Sequence, residues 1–183
     1  MMFTYNQTTM AVHVGIFGHD TSFEHRYISD HTKLEELVGY WKKLGLRVVL
    51  TSGTFDLFHI GHAQYLEKAK QLGDILIIGV DSDEKVRARK GPDRPIVPEG
   101  ERVLILAHSR HADVITLKNA SDPSNHLIKL IRPDVLVVSK STKHKNDEVD
   151  EKAHYCGEIV LLEPQAETST SAKLRLIQIK KDA

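Results

Sequence analysis

Two histidines, His59 and His62, stand three residues apart in the segment Thr51-Ser52-Gly53-Thr54-Phe55-Asp56-Leu57-Phe58-His59-Ile60-Gly61-His62. Imidazole nitrogens can donate hydrogen bonds to phosphate oxygens. At this spacing, across a helix entrance, both rings can face one bound phosphate. Gly53 allows close backbone approach or an unusual turn, and Gly61 keeps the helix entrance free of a side chain. The segment therefore reads as an anion site, provided that it joins a strand to a helix, where unsatisfied amides and the helix dipole attract negative charge.

The surrounding pattern predicts that placement. Leu46 to Leu50 reads as a buried strand and His62 to Gln71 as a helix ending at Gly73. Asp74 to Val80 is a second strand, apolar through Ile75-Leu76-Ile77-Ile78. A polar, proline-marked loop is expected from Asp81 to Pro98, then a helix from Glu99 to Arg110 with Glu99 and Glu101 in its first turn. Further strands are expected at Asp113–Leu117, Asp134–Val138 and Glu158–Leu162. Further helices are expected at Pro123–Ile131, Glu148–Tyr155 and Ser169–Ile179. Short apolar strands alternating with helices predict a doubly wound, Rossmann-like α/β fold with a five-stranded parallel sheet. In such a fold, ligands sit at the carboxyl ends of the strands. Upstream, Leu34, Leu37, Val38, Trp41 and Leu44 mark a helix over Thr32–Leu44. The expected division is an N-terminal extension over 1–31, without an assigned role, and one domain over 32–183.

Composition narrows the partners. The chain has 183 residues, with 25 Lys plus Arg against 25 Asp plus Glu. Zero net charge argues against nucleic acid or anionic membrane bound through bulk charge. The apolar runs are too short to span a bilayer, and the first residues lack the apolar core of a signal peptide. Cys156, the single cysteine, fits a reducing compartment, so a cytoplasmic protein is expected. Of the 11 histidines, His13, His19, His25 and His31 recur every six residues. That is neither a helical nor a strand period, and a solvated segment is favoured there over a metal site.

The segment around His59-Ile60-Gly61-His62, set after a strand and behind Gly53-Thr54-Phe55-Asp56, resembles the signature of the cytidylyltransferase-like nucleotidyltransferases. The resemblance continues through Gly73-Asp74, Val80-Asp81-Ser82-Asp83, Lys90-Gly91-Pro92-Asp93-Arg94-Pro95, Pro98-Glu99-Gly100-Glu101-Arg102, Arg132-Pro133-Asp134 and Ser169-Thr170-Ser171. It covers roughly residues 32 to 180. The Lys90–Pro95 stretch looks most like the nucleotidyltransferase domain of bacterial ADP-heptose synthases. Gly53-Thr54-Phe55-Asp56 is closer to glycerol-3-phosphate cytidylyltransferases and archaeal FAD synthetases.

The resemblance implies in-line attack by a substrate phosphate oxygen on the α-phosphate of a nucleoside triphosphate, with pyrophosphate leaving and no enzyme nucleophile. Catalysis then rests on positioning and charge neutralisation. His59, His62, Lys90 and Arg102 are the implied catalytic residues. Thr51, Gly53, Thr54, Phe55, Gly61, His62, Ser169, Thr170 and Ser171 are implied to bind nucleotide. Asp81, Arg94 and Lys140 are implied to bind the acceptor. Mg²⁺ is expected with the triphosphate, and Asp56 is its candidate protein ligand. ATP is favoured over CTP, with a sugar phosphate as acceptor and a homodimer as the assembly.

Two departures from the family pattern stand out. Ser139-Lys140-Ser141-Thr142-Lys143-His144 is basic where many relatives are glycine-rich. Pro164 and Glu167 replace an Arg and a Gly of some cytidylyltransferases. The open alternatives are a cytidylyltransferase using glycerol 3-phosphate, an FMN adenylyltransferase, and a non-catalytic nucleotide-binding regulator.

Overall fold

The central strands of the sheet carry apolar side chains on both faces, so each of them must be covered twice. In the computed structural model, which describes residues 23–140 and 151–165, helices supply both covers. The elements are α1 (Phe23–Arg26), α2 (His31–Lys43), β1 (Val48–Gly53), α3 (Ile60–Lys70), β2 (Ile75–Asp81), α4 (Asp83–Lys90), α5 (Glu99–Ala107), β3 (Val114–Lys118), α6 (His126–Ile131), β4 (Val135–Ser139) and β5 (Glu158–Leu162). The five strands are parallel, in the order β3-β2-β1-β4-β5. The order reverses between β1 and β4, and the crevice outside their carboxyl ends is where such sheets bind ligands.

Alternation along the strands divides the core. Val49, Leu76, Ile78, Val80, Ile115, Val135 and Val137 face α3 and α5, meeting Leu66, Ala69, Val103 and Leu106. Val48, Leu50, Ile75, Ile77, Val114 and Leu136 face α2 and α6, meeting Leu34, Val38, Trp41, Leu127 and Ile131. The buried α2 residues fall at helical spacing, and Asp30 caps that helix by accepting from the amides of Thr32 and Lys33.

The segment before α2 belongs to this packing. The Ile28 amide donates to the Ile115 carbonyl at 2.9 Å, and Tyr27 bridges to Ile115 in parallel, so residues 27–28 cover the edge of β3. Arg26 donates to the carbonyls of Ala107, Ser109 and Ala112 at 3.2, 3.0 and 2.9 Å, closing the end of α5. A division at residue 31/32 therefore cuts α2 after its first residue.

The sequence reading and the structure differ at definite places. β1 begins two residues later than expected and runs through Thr51 to Gly53, so the strand carries the motif itself. α3 starts at Ile60, with His59 as its cap. The loop expected from Asp81 to Pro98 contains α4, an eight-residue helix with a single buried side chain, Val86. Such a helix offers no apolar stripe to read. Its signals are the Ser82 cap, Asp83 and Glu84 in the first turn and Arg87, Arg89 and Lys90 in the last. Residues 151–153 are helical, within the expected Glu148–Tyr155 helix. The expected Ser169–Ile179 helix lies outside the described residues.

At the amino edge, carboxylates stitch neighbouring strands. Asp74 accepts from the Arg47 amide, Asp113 from Leu76 and Asp134 from Val48, each at 2.7 Å. Gly73 is pressed against this edge, where a Cβ would lie 2.7 Å from the Arg47 carbonyl oxygen and 2.6 Å from a Val49 methyl. Gly73→Ala should therefore destabilise the fold by about 1–3 kcal/mol. A lowered urea midpoint with an unchanged m-value would register that cost.

Candidate active site at the carboxyl edge

The turn from β1 into α3 is built on two non-glycine residues in the left-handed region, Phe55 (φ 52°) and Leu57 (φ 45°). Each costs about 1–2 kcal/mol in isolation, so other bonds must hold the turn. Asp56, between them, is buried and accepts from Arg94 Nε at 2.9 Å, the Ile96 amide at 3.1 Å and the Val97 amide at 2.9 Å. Arg94 Nη2 adds an ion pair at 2.7 Å. The 94–97 loop, whose Arg94–Pro95 peptide is cis, is thereby bound to the motif. Gly53 lies below it, where a Cβ would come 3.1 Å from the Phe55 ring and the ring would have to shift by a few tenths of an ångström.

Arg102 reaches the same turn from α5. Its side chain has no exposed surface. It donates to the Val97 carbonyl at 2.9 Å, the Thr54 carbonyl at 2.6 Å and Asp83 at 2.7 Å. The expected direct contact of Arg102 with phosphate does not fit this burial. Arg102 is a positioning residue, which crosslinks the motif turn, the 94–97 loop and the start of α4. Glu99 supports the same junction by accepting from the Asp83 amide at 2.6 Å.

His59 caps α3 with its own ring. The Gly61 amide donates to His59 Nδ1 at 3.1 Å. In the neutral ring that places the proton on Nε2. The Gly61 amide is thus engaged, and the helix offers an imidazole where the sequence suggested bare backbone. The His59 and His62 rings stack with centroids 4.0 Å apart and planes at 26°. Phe55 and Phe58 each hold the His62 ring from 5.5 Å. The two histidines are thus brought together, as their spacing predicted.

Several expected residues take other positions. Thr51 is fully buried, with its hydroxyl 2.7 Å from that of Tyr65 and 3.1 Å from the Val137 carbonyl. Its side chain ties β1 to α3 and β4. Burial pushes the Tyr65 hydroxyl up to about 12 despite its bond to Thr51. Thr54 is buried and its hydroxyl accepts from Arg89 at 2.9 Å. Lys140 stands at the end of β4, paired with Glu163. Ser169, Thr170 and Ser171 lie outside the described residues.

Sequence reasoning misses Arg89 and Lys118. Asp81, buried at the end of β2, accepts from Arg89 at 2.7 Å, and Lys118 Nζ lies 3.4 Å from its other oxygen. Burial pushes Asp81 up, but Lys118 and Arg89 outweigh it and hold the carboxyl below its ordinary range. Desolvation also lowers Lys118, against the pull of Asp81. Lys90, at the exposed end of α4, is lowered by desolvation and by the nearby Arg89 and Arg94, while Asp81 and Asp56 oppose this. Four cations, Arg89, Lys90, Arg94 and Lys118, thus surround two carboxylates. The parallel register, which sets Asp81 beside Lys118, was the one signal available for Lys118, and it required the strand order.

The two buried carboxylates do not fit a Mg²⁺ ligand set. Asp56 is taken by Arg94 and two amides, and Asp81 by Arg89 and Lys118. The expectation that Asp56 ligates metal fails for that reason. The Asp56 carboxylate braces a loop.

The sheet order is that of a doubly wound α/β domain, and the chain belongs to the cytidylyltransferase-like family, which it matches over residues 50–180. It is 42% identical over 123 residues to the Bifunctional protein HldE of a Nitratiruptor species, covering 67% of this chain and 26% of that protein. The Bifunctional protein HldE of Wolinella succinogenes is 36% identical over 160 residues, or 87% of this chain and 33% of that one. The chain therefore spans about a third or less of the length of these curated relatives. Among solved structures, the lipopolysaccharide core biosynthesis protein of Thermoplasma volcanium superposes with a TM-score of 0.56 at 28% identity, over 64% of this chain and 97% of that one.

Two outcomes follow from the bracing network. Arg102→Ala should lower stability by about 3 kcal/mol or more, since it removes a buried charge from its partner and from two carbonyls. Calorimetric melting would show a large loss if Arg102 is structural and little change if it only met substrate. Burial raises the Asp56 carboxyl, yet the Val97 and Ile96 amides and Arg94 bring it below its ordinary value of 3.8. Ionised Asp56 therefore contributes stability that is present above that ordinary value. The contribution is lost as pH falls below about 4 toward the folded-state value. Urea midpoints measured across that range should fall less steeply for Asp56→Asn than for the parent protein.

Proposed function

We propose that this chain is a nucleotidyltransferase that moves a nucleoside monophosphate from its triphosphate to a phosphorylated small molecule, releasing pyrophosphate. ATP and a sugar 1-phosphate are the favoured pair, as the Lys90–Pro95 stretch and the HldE relatives suggest. The observation that carries the reading is the stacked His59–His62 pair at the α3 start, beside the reversal of strand order between β1 and β4.

The acceptor's phosphate oxygen attacks the α-phosphorus, a new P–O bond forms, and the bond to pyrophosphate breaks. No enzyme nucleophile is needed. His59 Nε2–H and the His62 ring donate to the oxygens on which charge develops, and this stabilisation is larger in the transition state than in the ground state. The cations Arg89, Lys90, Arg94 and Lys118 would draw in both anionic substrates. Mg²⁺ would neutralise phosphate charge as it enters on the triphosphate, since neither Asp56 nor Asp81 is disposed to hold it. Ser169, Thr170 and Ser171 remain proposed contacts of the β- and γ-phosphates, and Lys140 of the acceptor. The same reading takes the protein as a cytoplasmic homodimer with small-molecule substrates only. Among the described residues no helix is long and apolar enough to cross a membrane.

Pyrophosphate release should be measured with ATP and with CTP against heptose 1-phosphate, glycerol 3-phosphate and FMN. Turnover is expected with ATP and the sugar phosphate. Failure of every pair, with nucleotide still bound, would sink the enzymatic reading in favour of a binding protein. His62→Ala should cut kcat by about 10² or more, the scale of one transition-state donor, with little change in melting temperature. Undiminished turnover in that variant would refute the role of His62.

A further inference from the structure

On the other face of the sheet from His59 and His62, two histidines from distant parts of the chain meet. His31 is the first residue of α2 and His126 the first of α6, and His31 Nδ1 lies 3.1 Å from His126 Nε2. The other nitrogen of His31 is 3.0 Å from the Leu117 carbonyl oxygen, at the end of β3. A carbonyl can only accept, so His31 Nε2 carries its proton and Nδ1 keeps its lone pair toward His126. A backbone carbonyl holding the far N–H of an imidazole is the usual second bond of a metal-ligating histidine, and it fixes both tautomer and ring orientation. Asp122 completes the group, with ligand atoms of His31, Asp122 and His126 all within 4.8 Å of one another and each side chain half-buried.

We propose that His31, Asp122 and His126 form a binding site for a borderline divalent transition ion of the Zn²⁺, Co²⁺ or Ni²⁺ class. The bite distance supports it. Two nitrogens at about 2.0–2.1 Å from a tetrahedral ion stand about 3.3–3.4 Å apart, within a few tenths of the 3.1 Å observed. The donor set of two imidazoles and one carboxylate suits such ions and not Mg²⁺, which takes oxygen ligands. The scaffold is held in place independently of any ion. Asp30 caps α2 just before His31. Asp122 Oδ2 accepts from the Asn119 amide at 2.6 Å, and Lys85 anchors the Asn119 carbonyl at 3.0 Å. Three protein ligands leave a fourth position for water. A bound ion would join the start of α2, the start of α6 and the loop after β3 at one corner of the sheet. The site does not depend on the proposed transferase activity, because neither histidine belongs to the α3 motif.

The test uses chelator-treated full-length protein and the metal alone, with no nucleotide present. Co²⁺ titration should give one equivalent of visible d–d absorption with tetrahedral or five-coordinate intensity. Zn²⁺ should raise the melting temperature and displace Co²⁺, while Mg²⁺ should do neither. Asp122→Asn keeps an acceptor for the Asn119 amide and should fold normally, with ion affinity reduced on the order of tenfold or more. His126→Ala should reduce it on the order of 100-fold or more. Melting curves in chelator establish that both variants are folded. Absence of the Co²⁺ spectrum in the parent protein overturns the proposal. So does equal affinity in the parent and both variants, which would place the ion on other histidines. A Mg²⁺ response equal to that of Zn²⁺ overturns the assigned class of ion.

Discussion

Arg102 donates from a wholly buried side chain to the Thr54 carbonyl, the Val97 carbonyl and the Asp83 carboxylate. A guanidinium taken out of water is tolerable only when its donors are bonded and its charge is paired. The demand runs both ways: the protein satisfies Arg102 only when β1's turn, the 94–97 loop and the start of α4 are all in place. Those are the pieces that frame the histidine pair. The left-handed residues Phe55 and Leu57 persist because this network, with Asp56 on Arg94 and on two amides, over-determines the turn around them.

The electrostatics of the carboxyl edge depend on the same bracing. A chain with zero formal net charge still gathers Arg89, Lys90, Arg94 and Lys118 around the buried Asp56 and Asp81. At the amino edge, Asp74, Asp113 and Asp134 are bonded to strand amides. At the carboxyl edge, Arg89, Lys90, Arg94 and Lys118 outnumber Asp56 and Asp81. The two buried carboxylates hold Arg89, Arg94 and Lys118 in fixed positions without cancelling them, so a polyanionic substrate of the proposed kind would meet charge already organised before it arrives.

The fold was legible because its signals are local. Continuous apolar runs such as Ile75–Ile78 announce strands covered on both faces, and glycine- and proline-marked breaks separate them from helices. α4 escaped because a helix lying on the surface with one buried residue has no apolar period. Arg102 was readable as important yet not in its actual role, since a cation at a helix start looks the same in sequence whether it faces phosphate or three internal acceptors. The histidines show the same limit. His31 falls in an uninformative six-residue recurrence, and its partner His126 lies 95 residues away.

The sequence by itself determined the parallel α/β class, the family, and the placement of His59 and His62 at the first strand–helix junction. Those features follow from patterns within about a dozen residues, where hydrophobic period, caps and glycines act directly on the backbone. Only the tertiary structure decided which charges meet which partners. It sent Asp56 to a loop, Arg102 into the interior, Thr51 to Tyr65, and Arg89 and Lys118 to Asp81. The reason is physical: the strand order brings together groups far apart in the chain. Once buried, their desolvation leaves each polar group free to stay only where a matching partner is already waiting.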